Sequence, residues 1–213
     1  MTEAVGPKWH KQDRKRGRIP KGLRNVDRES GWGYSRYKGW VQGYAWHVVC
    51  SATAGHLPIP LLADVAANNV PENQVFDPLI EQLPEVTRRV LADEGYDDQK
   101  LMGKVEIKAA HGFCRRMMVP MQSYANTPEW RRDYVRWYQS EPGQELYGQR
   151  KITIEPLFEI LQNIFDYRRS WMKGLKNNQA IMLLIVLCYQ LLIYYNWVEV
   201  LNLSSVKAIV DGL

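Results

Sequence analysis

Cysteine is scarce in this chain: Cys50, Cys114 and Cys188 are odd in number, widely separated and form no CxxC pair. That spacing excludes a disulfide framework and a thiolate zinc site, and it suits a reducing cytoplasm. The four histidines, His10, His47, His56 and His111, show no metal-ligand spacing. No Ser or Cys nucleophile motif occurs, and no Gly-rich phosphate loop; Gly31-Trp32-Gly33 is too short to act as one. The N-terminus is charged and polar, without the apolar stretch of a secretory leader. Internal repeats and low-complexity tracts are also absent.

What remains is the profile of an ordinary soluble globular protein. The 213 residues are 46% hydrophobic and 24% charged, enough for one domain with a real core. The net charge is +5, and its distribution says more than its size. Lys8, Lys11, Arg14, Lys15, Arg16, Arg18, Lys21, Arg24 and Arg28 crowd into one segment, opposed only by Asp13 and Asp27. That segment is net +7, so the rest of the chain is net −2. A dense basic run is what phosphate neutralisation requires; a solvated terminal arm without a ligand is the alternative. Eight tryptophans and twelve tyrosines supply aromatic surface, for core packing in the main and for base stacking at some positions.

Along the chain, residues 1–31 carry charge, Gly and Pro without helical or strand period and read as an extended arm or long loop. Trp40, Val41, Tyr44, Trp46, Val48 and Val49 mark a strand over 40–50. A second strand over 57–66 follows, limited to an edge or a strand start by Pro58 and Pro60, with Thr53-Ala54-Gly55 as the turn of a hairpin. Phe76, Leu79, Ile80 and Leu83 recur at helical spacing. Arg89-Val90-Leu91-Ala92 is a short core strand of the internal parallel kind, and a further strand lies near Met117. Residues 127–149 are ambiguous, with Pro142-Gly143 as a turn. Helices are predicted over 152–165 and over 179–197. The second is apolar all round, which points to a buried helix; at about 20 residues a membrane span is the alternative.

Two carboxylates stand out by position. Asp93 closes the core strand just ahead of Gly95-Tyr96, where carboxylates of parallel sheets face a ligand crevice; the same Asp-x-Gly pattern also opens turns. Glu155 lies near the start of an amphipathic helix, opposite its apolar stripe, in a polar row with Glu159 and Gln162. Hard oxygen ligands of this type suit magnesium and two-metal phosphoryl transfer.

Four stretches, taken in order, resemble the DDE transposases of bacterial insertion sequences, whose catalytic domain is ribonuclease-H-like. Trp9-His10-Lys11-Gln12-Asp13-Arg14-Lys15-Arg16 through Asp27 resembles the basic loop after the family's first strand. Gly31-Trp32-Gly33-Tyr34-Ser35 with Gly39-Trp40-Val41-Gln42-Gly43-Tyr44 resembles its aromatic second strand. Val90-Leu91-Ala92-Asp93-Glu94-Gly95-Tyr96-Asp97 matches its second-aspartate motif, and Tyr147-Gly148-Gln149-Arg150-Lys151-Ile152-Thr153-Ile154-Glu155 resembles the motif carrying the third acid. The resemblance implies an α/β, ribonuclease-H-like mixed sheet with flanking helices, short of its first strand, over 32–213 behind a basic arm over 1–31. It implies Asp93 and Glu155 as catalytic metal ligands for Mg2+ or Mn2+, and DNA, both element ends and target, as partner. Tyr147, Arg150 and Lys151 would position the DNA backbone, and Lys11, Arg14, Lys15, Arg16 and Arg18 would add phosphate contacts. It further implies a cytoplasmic protein without membrane association, and leaves a homodimer open.

Two departures accompany the resemblance. The family's first aspartate ends the first core strand, and Met1-Thr2-Glu3-Ala4 resembles the residues that follow it. Glu3 and Asp27 are the nearby acids, and neither occupies the motif position. Arg150 stands one residue too far from Glu155, Lys151 stands at the right distance, and Gln162 occupies the position of the motif's lysine. The chain alone is therefore expected not to catalyse strand transfer. The competing readings are a DNA-gripping remnant that does not cut, and a small protein anchored in a membrane through its apolar helix.

Overall fold

A computed structural model describes residues 1–19, 23–51, 57–107, 116–118, 128–203 and 205–212. They form two compact units, one of residues 1–71 and 157–213 and one of residues 72–156.

The first unit is organised on strand β3 (Gly39–Cys50), whose aromatic and β-branched residues favour extended backbone. Along one side of it run β2 (Gly31–Ser35) and then β4 (Pro60–Ala67), both antiparallel; on the other side β1 (Thr2–Glu3) pairs with Tyr44 and Gly43. The turn residues Thr53-Ala54-Gly55 lie outside the described residues. Gly43 is opposed by Glu3 on one side and Gly31 on the other. A Cβ added there would stand 1.9 Å from the Thr2 carbonyl oxygen, so only glycine lets the two backbones approach this closely.

Within residues 1–31, expected as an arm or loop, the described residues include β1 and a short helix α1 (Lys11–Lys15), and buried polar side chains fasten the segment to β3. The Trp9 amide donates to Gln42 Oε1 at 2.5 Å, and its indole Nε1 donates to the Arg18 carbonyl at 2.8 Å. Gln42 in turn donates to Ser30 Oγ at 2.9 Å, and Ser30 Oγ donates to the Asp27 carbonyl at 2.8 Å. Asp27 is 3% exposed. Its Oδ2 accepts from the Tyr44 hydroxyl at 2.7 Å and the Gly174 amide at 3.1 Å, and its Oδ1 accepts from the Glu29 amide at 3.2 Å. Local periodicity carries no trace of these bonds, because they join residues far apart in sequence.

Helix α6 (Leu175–Val198) covers the sheet. Its Met182 and Val186 pack with Ala4, Tyr44 and Val65, and Trp46, Val48 and Ala63 surround that cluster. Gln179 Nε2 donates to Asp64 Oδ1 at 3.0 Å and Gln190 Nε2 to the Pro60 carbonyl at 2.7 Å, which fixes the helix on β4 near both ends of the contact. Burial on all sides, expected from its composition, is corrected here: Ile181, Met182, Ile185, Val186 and Tyr189 are buried, while Leu183, Leu184, Leu187 and Leu191 are exposed. One sheet face covers one helix face.

In the second unit β5 (Arg89–Leu91) and β6 (Arg116–Met118) are parallel, with Val90 opposite Met117. Helix α2 (Glu72–Ile80) buries Val75, Phe76, Leu79 and Ile80, and α3 (Gln99–Ile107) buries Leu101, Met102 and Val105. Helix α4 (Glu129–Gln139) follows, and then α5 (Glu141–Asn163), which continues past Pro156 into residues of the first unit. The turn expected at Pro142-Gly143 is instead the first turn of α5. Ser140 caps it, its Oγ accepting from the Gly143 amide at 3.4 Å, and Pro142 falls where a helix needs no amide donor. A short helix α7 (Val206–Asp211) ends the described chain, capped by Ser205. Parallel and antiparallel pairing together, flanked by helices, give the mixed α/β class.

Gly43→Ala is expected to destabilise the chain by about 1–3 kcal/mol in urea denaturation, since the added methyl displaces β1; an unchanged midpoint would mean that β1 is not held there. Asp27→Ala is expected to cost about 3 kcal/mol by stranding the Tyr44 hydroxyl and the Gly174 amide. Tyr44→Phe should then add little in the Asp27→Ala background, and full additivity in the double-mutant cycle would separate the two residues.

Candidate functional site

The second unit brings one carboxylate of interest to the end of a parallel strand. Asp93 follows β5 and caps a 3-10 turn over Glu94–Tyr96, its Oδ1 accepting from the Gly95 amide at 3.2 Å. Its side chain is 43% exposed, open enough to meet a ligand. Arg150, from α5, places Nη2 3.4 Å from Asp93 Oδ2. One helical turn earlier, the Tyr147 hydroxyl donates to the Ala92 carbonyl at 3.2 Å, and the Arg150 guanidinium lies 5.9 Å from the Tyr147 ring. Both residues therefore dock α5 onto the end of β5. The turn beyond is braced by Asp97, whose two oxygens accept from Arg131 at 2.5 and 3.0 Å.

A second carboxylate, not singled out in the sequence, reaches the same place. Glu72 opens α2 and hydrogen-bonds Asp93. Burial first, and then the Asp93 charge beside it, push the Glu72 carboxyl up to about 7. The approach is close: a Cβ on Gly95 would lie 1.8 Å from Glu72 Oε2, so a side chain there would have to push the carboxyl aside. The only signal that could have found Glu72 is topological. A helix that crosses over ahead of a strand runs against it, so its first residue lies beside the strand's last.

Glu155 is placed differently. It is exposed on α5, five residues after Arg150, which turns it roughly 140° about the helix axis from the face that meets Asp93. The structure brings Tyr147 and Arg150 to Asp93 but draws no contact between Asp93 and Glu155. The Lys151 side chain lies outside the described residues. Asp93 and Glu72 offer the hard oxygen donors that a divalent cation prefers, with Glu155 as a further exposed acid. Among the described residues no three His, Cys, Asp or Glu side chains converge as a metal-holding group.

Neither acid weighed in place of a first aspartate is free in the first unit. Asp27 has both oxygens committed within the core. Glu3 pairs with Lys8 Nζ at 2.6 Å, and that bond holds its carboxyl below the usual range. The basic segment, by contrast, faces outward. Lys11, Lys15, Arg16 and Arg18 are exposed, while Arg14 is partly covered and donates to Asn69 Oδ1 at 3.4 Å. Trp9 closes the base of this loop through Gln42 and Arg18, so the cations are displayed from a fixed platform.

No curated protein and no solved structure matches the chain. A family model described as Transposase DDE domain matches residues 8–191, a span that takes in the basic loop, the aromatic strands, Asp93, Tyr147, Arg150 and Glu155. With most of its length matched, the chain belongs to the DDE-domain transposases.

Proposed function

We propose that Asp93 and Glu155 are the acids that hold divalent cations against a DNA phosphate in this transposase domain, with Tyr147, Arg150 and Lys151 positioning the backbone. The family acts on DNA in transposition and generally uses divalent metal ions. The observation that carries the assignment is Asp93 at the end of a parallel strand with Arg150 3.4 Å from it. Bound cations of this class activate the attacking oxygen and stabilise the leaving one. The protein's own part is charge and position. Arg150 balances Asp93 in the free protein, and its planar fork can exchange that partner for a phosphate. Glu155 sits about one and a half turns further along α5, free to face a cation or a strand of DNA.

By themselves these 213 residues grip DNA without completing strand transfer. The reason is that β1 contributes no aspartate, Asp27 is locked in the core and Glu3 is held by Lys8. The grip comes from Lys11, Arg14, Lys15, Arg16 and Arg18, which contact phosphates and set register without reading bases. The working environment is the cytoplasm. Helix α6 is long and apolar enough to cross a membrane by length, but its bonds to Asp64 and Pro60 and its packing on β3 and β4 favour a helix of the folded domain.

Gel retardation with a duplex of the element end should show binding that needs no magnesium. Neutralising Lys11, Lys15 and Arg16 together should reduce the salt slope by about three; an unchanged slope would move the phosphate contacts elsewhere. Purified chain with Mg2+ or Mn2+ is expected to leave the duplex intact. Nicking that Asp93→Asn suppresses would refute the inactivity and keep the site, whereas nicking indifferent to Asp93→Asn and Glu155→Gln would remove both acids from it.

A further inference from the structure

The β2–β3 hairpin carries surface that neither the core nor the phosphate contacts account for. Its inner end is packed, with Gln42 buried and Trp32 Nε1 donating to the Trp9 carbonyl at 2.5 Å. Its outer end is aromatic and uncovered: Tyr34 is 61% exposed, Trp40 55% and Tyr37 98%. Tyr34 and Trp40 are directly opposed across the strands, their rings edge to face at 5.6 Å. The tip is fixed, since Ser35 Oγ accepts from the amides of Tyr37 and Lys38 at 3.3 Å each and Gly39 turns the chain back at a φ of +68°. Three large aromatic rings held out on an ordered turn are the kind of exposed apolar surface that marks an interaction site.

Charge indicates the occupant. Arg36 and Lys38 flank Tyr37 at the tip, and Lys11 Nζ sits 4.3 Å from the centre of the Trp40 ring. From Gly31 to Ala63 the sequence carries no Asp or Glu. Rings interleaved with cations and free of acids fit bases and phosphates together. A paired duplex keeps its base faces stacked inside, so the fit is to bases that have lost their partners.

We propose that this hairpin, through Tyr34, Tyr37 and Trp40, stacks on unpaired bases at a DNA end, with Arg36, Lys38 and Lys11 on the adjoining phosphates. The inference rests on the DNA-binding reading and adds the chemical state of the DNA at this surface. Base stacking tolerates any sequence, so the hairpin recognises an opened end and not a base order.

The test compares a blunt duplex with the same duplex carrying a short single-stranded tail that contains 2-aminopurine, both bound by the 213-residue chain. The tailed DNA should bind more tightly and its 2-aminopurine fluorescence should be quenched. Tyr37→Ala should lower tail affinity about five- to a hundredfold, with blunt-duplex affinity kept, and Trp40→Ala should lower tail affinity by a similar factor. Tyr37→Leu keeps apolar surface at an exposed tip but removes the ring, and it should weaken the quenching as Tyr37→Ala does. Lys15→Ala and Arg16→Ala should weaken both DNAs alike. Equal affinity for blunt and tailed DNA, or quenching undiminished by Tyr37→Leu, would overturn the hairpin assignment alone. Failure to bind either DNA would overturn the DNA-binding reading and the hairpin with it.

Discussion

The Asp27 carboxylate, buried and fully hydrogen-bonded, is the constraint on which the first unit depends. A carboxylate out of water is tolerated only when its oxygens are satisfied, and here Tyr44, Glu29 and Gly174 supply the donors. Those donors come from β3, from the segment leading into β2, and from the residue just before α6. One side chain therefore holds together the strand, its flanking loop and the helix that covers the sheet. Gln42, also buried, extends the tie to Trp9 and so to the base of the basic loop. Polar groups in such a network specify one arrangement, because any slip strands a donor in the core.

This anchoring explains how a segment of net +7 can fold against a domain and remain open to solvent. Lys11, Lys15, Arg16 and Arg18 are exposed, while Asp27 and the neutral residues Trp9, Gln42 and Ser30 form the attachment. The hairpin follows the same division of labour. Its inner half is packed by Trp32 and Gln42, and its outer half presents rings and cations. In both places burial fixes the geometry and exposure leaves the chemistry available.

In the second unit the decisive contact is between acids. Glu72 and Asp93 approach each other beside Gly95, where a Cβ would crowd the Glu72 carboxyl, and burial together with the neighbouring Asp93 pushes Glu72 up to about 7. Arg150 then offsets the remaining charge. Asp93, between the Glu72 carboxyl and the Arg150 guanidinium, is held in place without being withdrawn from solvent. Glu155, on the flank of α5, is not part of this cluster, in keeping with the one-residue offset between Arg150 and Glu155 in the sequence.

Features that depend on neighbours in the chain were legible in the residue pattern. Alternating aromatic and β-branched residues located β3, the Leu57–Ala66 run located β4 to within a few residues, helical spacing located α2 and α6, and the Leu-Ala-Asp-Glu-Gly-Tyr run marked Asp93. The basic segment and the family resemblance were equally legible. Tertiary structure alone decided which residues meet. It placed Glu72 on Asp93, withdrew Asp27 into the core, turned Glu155 away from Arg150's face, left one side of α6 exposed and held Tyr37 out at the hairpin tip. Periodicity and turn chemistry are short-range properties written into a few consecutive residues. Convergence and exposure follow from packing between segments far apart in the chain, so no local pattern records them.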